Sequence, residues 1–366
     1  MFSGCLEELR GFLKEVGEIK EVDVVVMPDF FLDRLISLNS DVTAFSKLMK
    51  RVVKRKGGSI DGIRQTELRG GNAVNTASAL ATLNIKVTPI VCTSQLGLRL
   101  IKFHFKSLKL DFSHIKIFDK PSITTAIEVE TEDGKTNVML RDVGALANFG
   151  PHHLNNTDFK TIEDADYVCV FNWAGTRLFG TELAETVFSR VKDKGKGKGK
   201  TYFDTADPTP NKEGVSKLVD RVLRKSLVDI LSVNENEAVC YASQLSDEAE
   251  ELRKSFKFNE LAKECARILA SHLSARIDLH TTSFSASFTG KSEVIVPAFD
   301  VPVLRATGAG DAWNAGNILG DAYQLSDRCR LALANAVAAY YISNPRGKHP
   351  TREQLTRFCE KLNMKI

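Results

Sequence analysis

The 366-residue chain is long enough for one large domain, or for a large domain with a small appendage. Its 43% apolar and 26% charged residues are typical of a soluble globular protein, and a net charge of +4 does not indicate nucleic-acid binding. No apolar run approaches the roughly 20 residues of a transmembrane helix, and the N-terminal segment lacks a secretory-signal pattern, so we expect a cytoplasmic protein without a membrane partner. The seven cysteines are scattered, which favours reduced, buried thiols.

Strand and helix patterns alternate along most of the chain. Apolar residues spaced by four and three from Phe2 to Val16 predict an amphipathic opening helix, and β-branched residues over 22–26 predict the first strand. Beyond it we predict helices over 72–83, 97–108, 180–192, 214–225, 246–256, 258–273, 311–323, 326–343 and 351–362, and strands over 86–92, 114–118, 167–171, 201–204, 228–233 and 276–281. This alternation predicts an α/β fold, with a mostly parallel sheet covered on both faces and ligands at the carboxyl ends of the strands.

Two stretches, 32–70 and 121–145, break the alternation. The second contains period-two patterns on either side of 132–135, whose Asp-Gly pair predicts a hairpin turn. Both stretches together predict a small β-sheet outside the core. The core itself then comprises 1–31, 71–120 and 146–366.

A glycine-rich segment late in the chain, Gly308-Ala309-Gly310-Asp311, precedes a predicted helix. Glycines let backbone N–H groups approach a charged ligand, and a helix N-terminus favours an anion, so this turn is a candidate anion hole. A carboxylate beside a phosphate is repulsive unless it has a chemical role. Asp311 suits removal of the proton from a hydroxyl that attacks phosphorus. The alternative is a simple turn in which Asp311 caps the helix.

Two earlier segments accompany this turn. Gly70 and Gly71 lead into a predicted helix with Asn75 in its first turns, and Asn234 and Glu237 follow an apolar strand. A helix-capping box is the alternative interpretation of the Asn234–Glu237 pair. The three segments, GGxxxNxA, NxxE and GAGD, stand here in the order typical of the ribokinase-like (PfkB) family of carbohydrate and nucleoside kinases. The chain resembles that family from about residue 22 to its end.

The resemblance implies a three-layer α/β/α fold with a small β lid over the substrate. It implies an ATP- and Mg²⁺-dependent transfer of phosphate to a hydroxyl of a small sugar or nucleoside, with Asp311 as general base. Glu237 is the implied metal residue, which with Asn234 organises Mg²⁺ around the nucleotide phosphates. In some members the lid is also a homodimer surface. The alternative from another class is a non-catalytic sugar- or nucleotide-binding relative.

Further candidate residues follow from the same resemblance. The implied substrate-binding residues are Asp33, Gly70, Gly71, Asn75 and Arg141. The implied nucleotide-binding residues are Asn234, Thr281 and Asn335. For Asp33 and Arg141 the alternative is a solvated surface charge, and for Asn335 it is a helix residue that points to solvent.

Three positions depart from the family pattern. Arg305 stands where members usually carry an aspartate three places before the first glycine of GAGD, which argues against activation by a monovalent cation. Residues 279–284 replace a glycine-rich turn, so His280 and neighbouring hydroxyls are candidates to rebuild the nucleotide contacts. Asn72 replaces a lysine that several ribokinases carry after the glycine pair.

Overall fold

Fourteen strands contribute to the described part of the chain. The structure, a computed structural model, describes residues 3–14, 21–38, 40–108, 110–131, 134–194, 199–290 and 292–362. The strands are β1 (Asp23–Met27), β2 (Phe31–Ser37), β3 (Arg64–Gly70), β4 (Lys86–Pro89), β5 (Cys92–Thr93), β6 (Lys116–Ile117), β7 (Ser122–Thr131), β8 (Gly134–Asp142), β9 (Tyr167–Phe171), β10 (Lys200–Asp204), β11 (Ile230–Val233), β12 (Arg276–His280), β13 (Phe284–Thr289) and β14 (Ser292–Pro297).

The described α-helices connect these strands. They are α1 (Ser3–Lys14), α2 (Val42–Lys54), α3 (Asn72–Thr82), α4 (Gln95–His104), α5 (Asn156–Asp164), α6 (Gly180–Lys194), α7 (Val215–Arg221), α8 (Glu235–Leu245), α9 (Glu248–Leu252), α10 (Phe258–His272), α11 (Ala309–Ala322), α12 (Asp327–Ser343) and α13 (Arg352–Cys359). All of them are too short or too polar to span a bilayer.

The central sheet has eight strands in the order β14-β13-β12-β11-β10-β9-β1-β4. The strands from β12 to β4 pair in parallel, and β13 and β14 add an antiparallel edge. An apolar cluster covers each face. One includes α5 to α8 and α10, and the other includes α1, α3, α4 and α11 to α13. The three-layer α/β/α prediction is therefore confirmed.

A second, four-stranded sheet in the order β3-β2-β7-β8 lies apart from the central sheet, and we call it the lid sheet. Its β2–β7 pair is parallel and its other pairs are antiparallel. The register aligns Asp33 with Thr124, and Thr124 with Arg141. Because directly opposite residues in a sheet project from the same face, these three side chains share one face of the lid sheet.

Several predicted elements differ from the structure. The strand predicted over 114–118 is wrong as a central strand, because only Lys116–Ile117 pairs, and it pairs with β5 in a separate two-stranded sheet. The helix predicted over 246–256 shrinks to α9. Helices α2, α5 and α8 and strands β13 and β14 were not predicted. Phe2, Val16 and positions 132 and 133 of the predicted turn lie outside the described residues.

Candidate active site

Polar residues gather where the parallel strands of the central sheet end. Asp29, Asn172, Asp204, Asn234 and His280 lie at, or within two residues after, the carboxyl ends of β1, β9, β10, β11 and β12. Carboxyl ends of parallel strands meet at one edge of a sheet, which is where α/β proteins bind ligands. Asp29 and Asn172 confirm the proximity, because Asn172 Nδ2 donates to Asp29 Oδ2 over 2.7 Å.

Helix α11 begins at this edge. Its N-cap residue, Gly308, has a left-handed backbone with φ of 87°, and a Cβ there would lie 2.7 Å from Tyr341 Oη. Only glycine fits both restrictions without strain. Ala309 and Gly310 form the first turn, and no described side chain caps it. The positive end of the helix dipole and its uncapped amides therefore face the site.

The Asp311 carboxylate lies in that first turn and is only 6% exposed. It accepts hydrogen bonds from two side-chain amides of α3, from Asn72 Nδ2 to Oδ1 and from Asn75 Nδ2 to Oδ2, both over 2.9 Å. Burial raises the pKa of Asp311 well above its ordinary value, and the negative charges of Asp204 and Asp29 raise it further, while the two amides oppose the shift. Such a carboxylate is a stronger base than an exposed aspartate.

Asp29 holds α3 in the position that this arrangement needs. Gly71 is the N-cap residue of α3, and the backbone N–H groups of Asn72 and Ala73 donate to the Asp29 carboxylate over 3.0 and 2.8 Å. Burial raises the pKa of Asp29, and these hydrogen bonds oppose the rise. A carboxylate at a helix N-terminus is stabilised by the helix dipole as well. Asp29 therefore anchors the helix that positions Asp311.

Asp33 lies within β2, in the lid sheet, and not in a loop after the first strand. Its carboxylate rests against Gly70, where a Cβ would lie 2.0 Å from Asp33 Oδ2. Burial raises the pKa of Asp33 to about 6, although a hydrogen bond with Thr124 lowers it. Oδ1 has no hydrogen-bond partner among the described residues. That oxygen is available to accept a hydroxyl of a ligand.

Arg141 lies on the same face of the lid sheet as Asp33. Its guanidinium carbon is 5.2 Å from the centre of the Phe31 ring, and its charge lowers the pKa values of Asp29 and Asp33. The side chain is exposed and forms no ion pair within the described part of the chain. Arg141 is therefore close enough to Asp29 and Asp33 for its charge to act on both, without an ion pair to either.

Asn234 and Glu237 form a closed pair at the start of α8. The Asn234 N–H donates to Glu237 Oε2 over 2.9 Å, its Nδ2 donates to Oε1 over 2.7 Å, and the Glu237 N–H donates to Asn234 Oδ1 over 3.0 Å. This is a capping box. Because each carboxylate oxygen carries two lone pairs, the box does not by itself exhaust Glu237 as an acceptor.

The charges around Glu237 fit a divalent cation. Burial raises its pKa well above the ordinary value, and the carboxylates of Asp204, Asp207 and Glu235 raise it further. A cation at this edge would offset that repulsion. No cluster of three His, Cys, Asp or Glu side chains that could hold a metal ion is present among the described residues.

Thr281 and Asn335 already use their polar atoms inside the protein. Thr281 Oγ1 accepts from the backbone N–H groups of Ser283 and Phe284 in the turn between β12 and β13. Asn335 is 6% exposed, its Oδ1 accepts from Ser285 Oγ and Trp313 Nε1, and its Nδ2 donates to the Pro297 carbonyl. Both residues stabilise the walls behind the site in this structure.

His280 and Arg305 flank the start of α11. A Cβ at Gly310 would lie 3.4 Å from His280 Cε1, and His280 Nε2 is buried without a hydrogen-bond partner among the described residues. Burial lowers the pKa of His280, so its imidazole is neutral at physiological pH. Arg305 Nη2 donates to the Pro345 carbonyl over 2.9 Å, and its guanidinium lies 6.0 Å from the Tyr341 ring centre.

Comparison with known proteins agrees with this geometry. Residues 39–354 match the pfkB family of carbohydrate kinases. The chain belongs to this family. No curated protein matches it in sequence. Family membership supports a kinase of small sugars or nucleosides as the general class of activity.

Solved structures of pfkB-type kinases share the fold. Ribokinase from Cryptococcus neoformans var. grubii serotype A, in complex with ADP, matches with a TM-score of 0.70 at 16% identity, over 93% of this chain and 99% of that one. Adenosine kinase from Sinorhizobium meliloti matches with a TM-score of 0.67 at 17% identity, over 94% and 99%. Arabidopsis thaliana ribokinase, complexed with ribose and ATP, matches with a TM-score of 0.65 at 17% identity, over 93% and 99%. The ribokinase-like fold predicted from the motifs is thus confirmed.

Within this pfkB kinase, the structure brings some expected site residues together and separates others. Asn75 donates to Asp311 in the first turn of α11, directly after Gly308, and Asp33, Gly70 and Arg141 belong to the lid sheet. The charge of Asp204 acts on both Glu237 and Asp311, whereas Thr281 and Asn335 are engaged in internal hydrogen bonds.

Sequence reasoning missed Asp29 and Asp204, the two carboxylates whose charges act on Asp311 in this pfkB kinase. Asp204 accepts a hydrogen bond from Asn314 Nδ2 over 2.7 Å and adds to the charge felt by both Asp311 and Glu237. Asp29 and Asp204 share one signal in the sequence, since each lies at the end of a predicted apolar strand or within three residues of it. Applying the strand-end rule to every strand would have found them.

Proposed function

We propose that this protein is an ATP- and Mg²⁺-dependent phosphotransferase that phosphorylates a hydroxyl of a small sugar or nucleoside. The observation that carries the proposal is the Asp311 carboxylate, buried in the first turn of α11 and held by amides from α3. A base and an anion-binding helix terminus adjoin each other there, as transfer of a phosphoryl group to a hydroxyl requires.

In this proposal Asp311 accepts the proton of the attacking hydroxyl. Burial raises its pKa above the ordinary value for an aspartate, which makes it a stronger base for proton transfer from a weakly acidic hydroxyl. The amides of Gly308, Ala309 and Gly310 hold the negative charge of the transferred phosphate. Asp33, Asn75 and the backbone at Gly70 and Gly71 orient the acceptor so that one hydroxyl faces Asp311.

The nucleotide occupies the other side of Asp311 in the proposed complex. Asn234 and Glu237, with Asp204 nearby, would hold Mg²⁺ and its waters, and the ion would supply charge compensation for the phosphates. Thr281 and Asn335 would shape the wall of the nucleotide site, or would exchange their internal hydrogen bonds for contacts with the nucleotide. His280, which adjoins Gly310, offers a buried ring nitrogen with no hydrogen-bond partner among the described residues.

The deciding experiment measures ADP release from ATP and Mg²⁺ with a panel of pentoses, hexoses, sugar phosphates, sugar acids and nucleosides. We expect release that depends on one class of acceptor and yields a phosphorylated product by mass spectrometry. ATP hydrolysis that ignores every acceptor, or no turnover at all, contradicts the proposal.

A second candidate is a non-catalytic sugar- or nucleotide-binding protein of the same fold. The closed Asn234–Glu237 box and the replacement of a glycine-rich turn by 279–284 favour it. Calorimetry separates the two candidates. Tight binding of both nucleotide and sugar by a protein that never releases ADP supports the binding function.

We further propose a cytoplasmic location and a homodimer formed through the lid sheet. Apolar side chains support the dimer, since Val138, Leu140 and Val53 are 52%, 57% and 75% exposed on the lid sheet and on α2, which connects two of its strands. Analytical ultracentrifugation of the parent and of a Leu140→Lys variant tests this. A monomeric parent protein at micromolar concentration contradicts it.

A further inference from the structure

A cavity of about 260 Å³ opens between the lid sheet and the central sheet. The lid side contributes Met139, Arg141 and Val143, and the core side contributes Ala174, Gly175, Arg177 and Pro210. Two arginines from different parts of the chain thus line one small cavity. The volume approaches that of small-ligand sites, so it exceeds the room that a single ion needs.

Arg141 and Arg177 are both exposed, and neither forms an ion pair with a carboxylate in the part of the chain that the structure describes. Other described arginines do form such pairs, as Arg221 does with Glu182 and Glu185. Two like charges that face one cavity repel each other, and an anion between them would relieve this repulsion.

Hydrogen bonds link the wall of the cavity to the environment of Asp311. Gly175, in its wall, donates its N–H to Asn172 Oδ1 over 3.1 Å, and Asn172 Nδ2 donates to Asp29 Oδ2 over 2.7 Å. Asp29 also accepts the N–H of Asn72 over 3.0 Å, and the Asn72 amide bonds to Asp311 over 2.9 Å. One chain of hydrogen bonds therefore leads from the cavity wall to the proposed base.

The lid side of the cavity is also connected with a residue of the proposed acceptor site, Asp33. Arg141, Thr124 and Asp33 stand directly opposite one another on three neighbouring strands, on one face of the lid sheet. Asp33 has a free oxygen for a hydroxyl, and Arg141 has only donors and a permanent charge. A ligand along this row would present hydroxyls to Asp33 and a negative group to Arg141.

From these contacts we propose that the acceptor substrate is an anionic sugar, whose phosphate or carboxylate group lies between Arg141 and Arg177. This inference rests on the proposed kinase function and assigns its substrate class. A neutral hydroxyl group would form no ion pair with either guanidinium, whereas a phosphate or carboxylate accepts paired hydrogen bonds from each fork. The reacting hydroxyl lies at the other end of the sugar, toward Asp311.

The test compares acceptors that differ in charge. Fructose is compared with fructose 6-phosphate, and glucose with gluconate, so that the effect of a phosphate group is measured separately from that of a carboxylate group. We expect kcat/KM with one anionic member to exceed that of its neutral partner by about 100-fold or more, as two charge-assisted interactions allow. Raising NaCl to 0.5 M lowers that advantage, because the site is open to solvent.

Variants assign the effect to the two arginines. Arg141→Gln and Arg177→Gln each lower kcat/KM for the anionic sugar about 10- to 100-fold, through KM, and leave the KM for ATP unchanged. Arg141→Lys and Arg177→Lys retain part of the activity, since they keep the charge but lose the paired geometry. Arg34→Gln is the matched control, because Arg34 neighbours Asp33 on β2 but projects from the opposite face.

Calorimetry with fructose 6-phosphate and with gluconate separates failure of this inference from failure of the kinase proposal. Binding of an anionic sugar that both Gln variants abolish supports the inference even if no ADP is released. Equal use of neutral and anionic sugars, unchanged kinetics in both Gln variants, or a rise in the KM for ATP alone overturns it. Absence of binding by both anionic sugars in the parent protein overturns it as well.

Discussion

The side-chain amide of Asn72 donates to Asp311 Oδ1 over 2.9 Å, although 239 positions separate the two residues in the chain. Asn75, one turn further along α3, bonds to the other carboxylate oxygen. Both donors project from a helix whose first amides are fixed by Asp29. The orientation of Asp311 therefore depends on the packing of α3 against α11, and several consequences can be measured.

Replacing the carboxylate tests its role as a base. Asp311→Asn should keep the fold and nucleotide binding, because an amide oxygen still accepts one of the two hydrogen bonds. We expect kcat to fall on the order of 10²- to 10⁴-fold, the usual contribution of a general base. Asp300→Asn, at an exposed carboxylate, serves as the control. Near-parental turnover in the Asp311 variant would remove this residue from the mechanism.

Removing an amide donor should change the pH profile. The hydrogen bonds from Asn75 and Asn72 lower the pKa of Asp311 against the effect of burial. In Asn75→Ala that pKa rises, so the acid limb of the kcat profile moves to higher pH, and kcat at pH 7 falls about 10-fold. Thr82→Ala, at the other end of α3, should leave the profile unchanged. A uniform loss of activity at every pH would indicate a structural role for Asn75 instead.

The metal role of Glu237 can be separated from its capping role. Glu237→Gln should raise the Mg²⁺ concentration for half-maximal rate about 10-fold, as loss of a metal-orienting carboxylate typically does. Thermal stability should change little, because a glutamine serves in a capping box. Glu248→Gln, at the exposed start of α9, is the control. Early melting with an unchanged Mg²⁺ requirement would support capping alone.

The raised pKa of Asp33 leads us to expect opposite effects of pH on the stability of the protein and on its binding of the acceptor. Its pKa is raised from an ordinary value near 4 to about 6, so the folded state retains a proton that the unfolded state releases. The free energy of unfolding of the parent protein therefore falls as the pH rises from 4 through 6, by about 2 kcal/mol relative to that of the Asp33→Asn variant. Chemical denaturation of both proteins across this pH range measures the difference.

Acceptor binding should respond to Asp33 in the reverse direction. The KM for the acceptor falls as pH rises through 6, because the ionised carboxylate accepts hydroxyl groups better than the protonated acid. Asp61→Asn is an exposed control in the connection that leads to β3. A pH-independent difference in both stability and KM would show that Asp33 titrates as an ordinary surface carboxylate.

The position of Arg305 leads us to expect that the enzymatic activity does not depend on monovalent cations. Its guanidinium is fixed by the Pro345 carbonyl, and a Cβ at Gly347 would lie 2.1 Å from its Nη1. A permanent positive charge repels K⁺, so activity in KCl and in a bulky organic chloride should agree within about twofold. Arg305→Asp should slow the enzyme and acquire partial stimulation by K⁺. Strong K⁺ activation of the parent would mean that backbone carbonyls bind the ion without regard to Arg305.

The sequence by itself determined the fold class and two local features, the turn at Gly308 and the capping box at Asn234. Gly308 signals a left-handed residue before a helix, and Asn234 with Glu237 signals a capping box, because both depend on residues close together in the chain. Periodicity likewise predicted the alternating strands and helices, since burial on one face repeats locally. It missed α2, which has no buried residue, and β13, in which the polar residues Ser285 and Ser287 are buried.

Only the tertiary structure decided which polar atoms remain available to a ligand. Asn335 was expected at the nucleotide, yet packing of α12 against β13 and α11 gives all its polar groups internal partners. Asp29 and Asp311 are both buried carboxylates at helix starts, but Asp29 receives two backbone amides and Asp311 receives side-chain amides from a distant helix. Hydrogen-bond partners and desolvation arise from segments brought together by folding, so no local pattern in the chain encodes them.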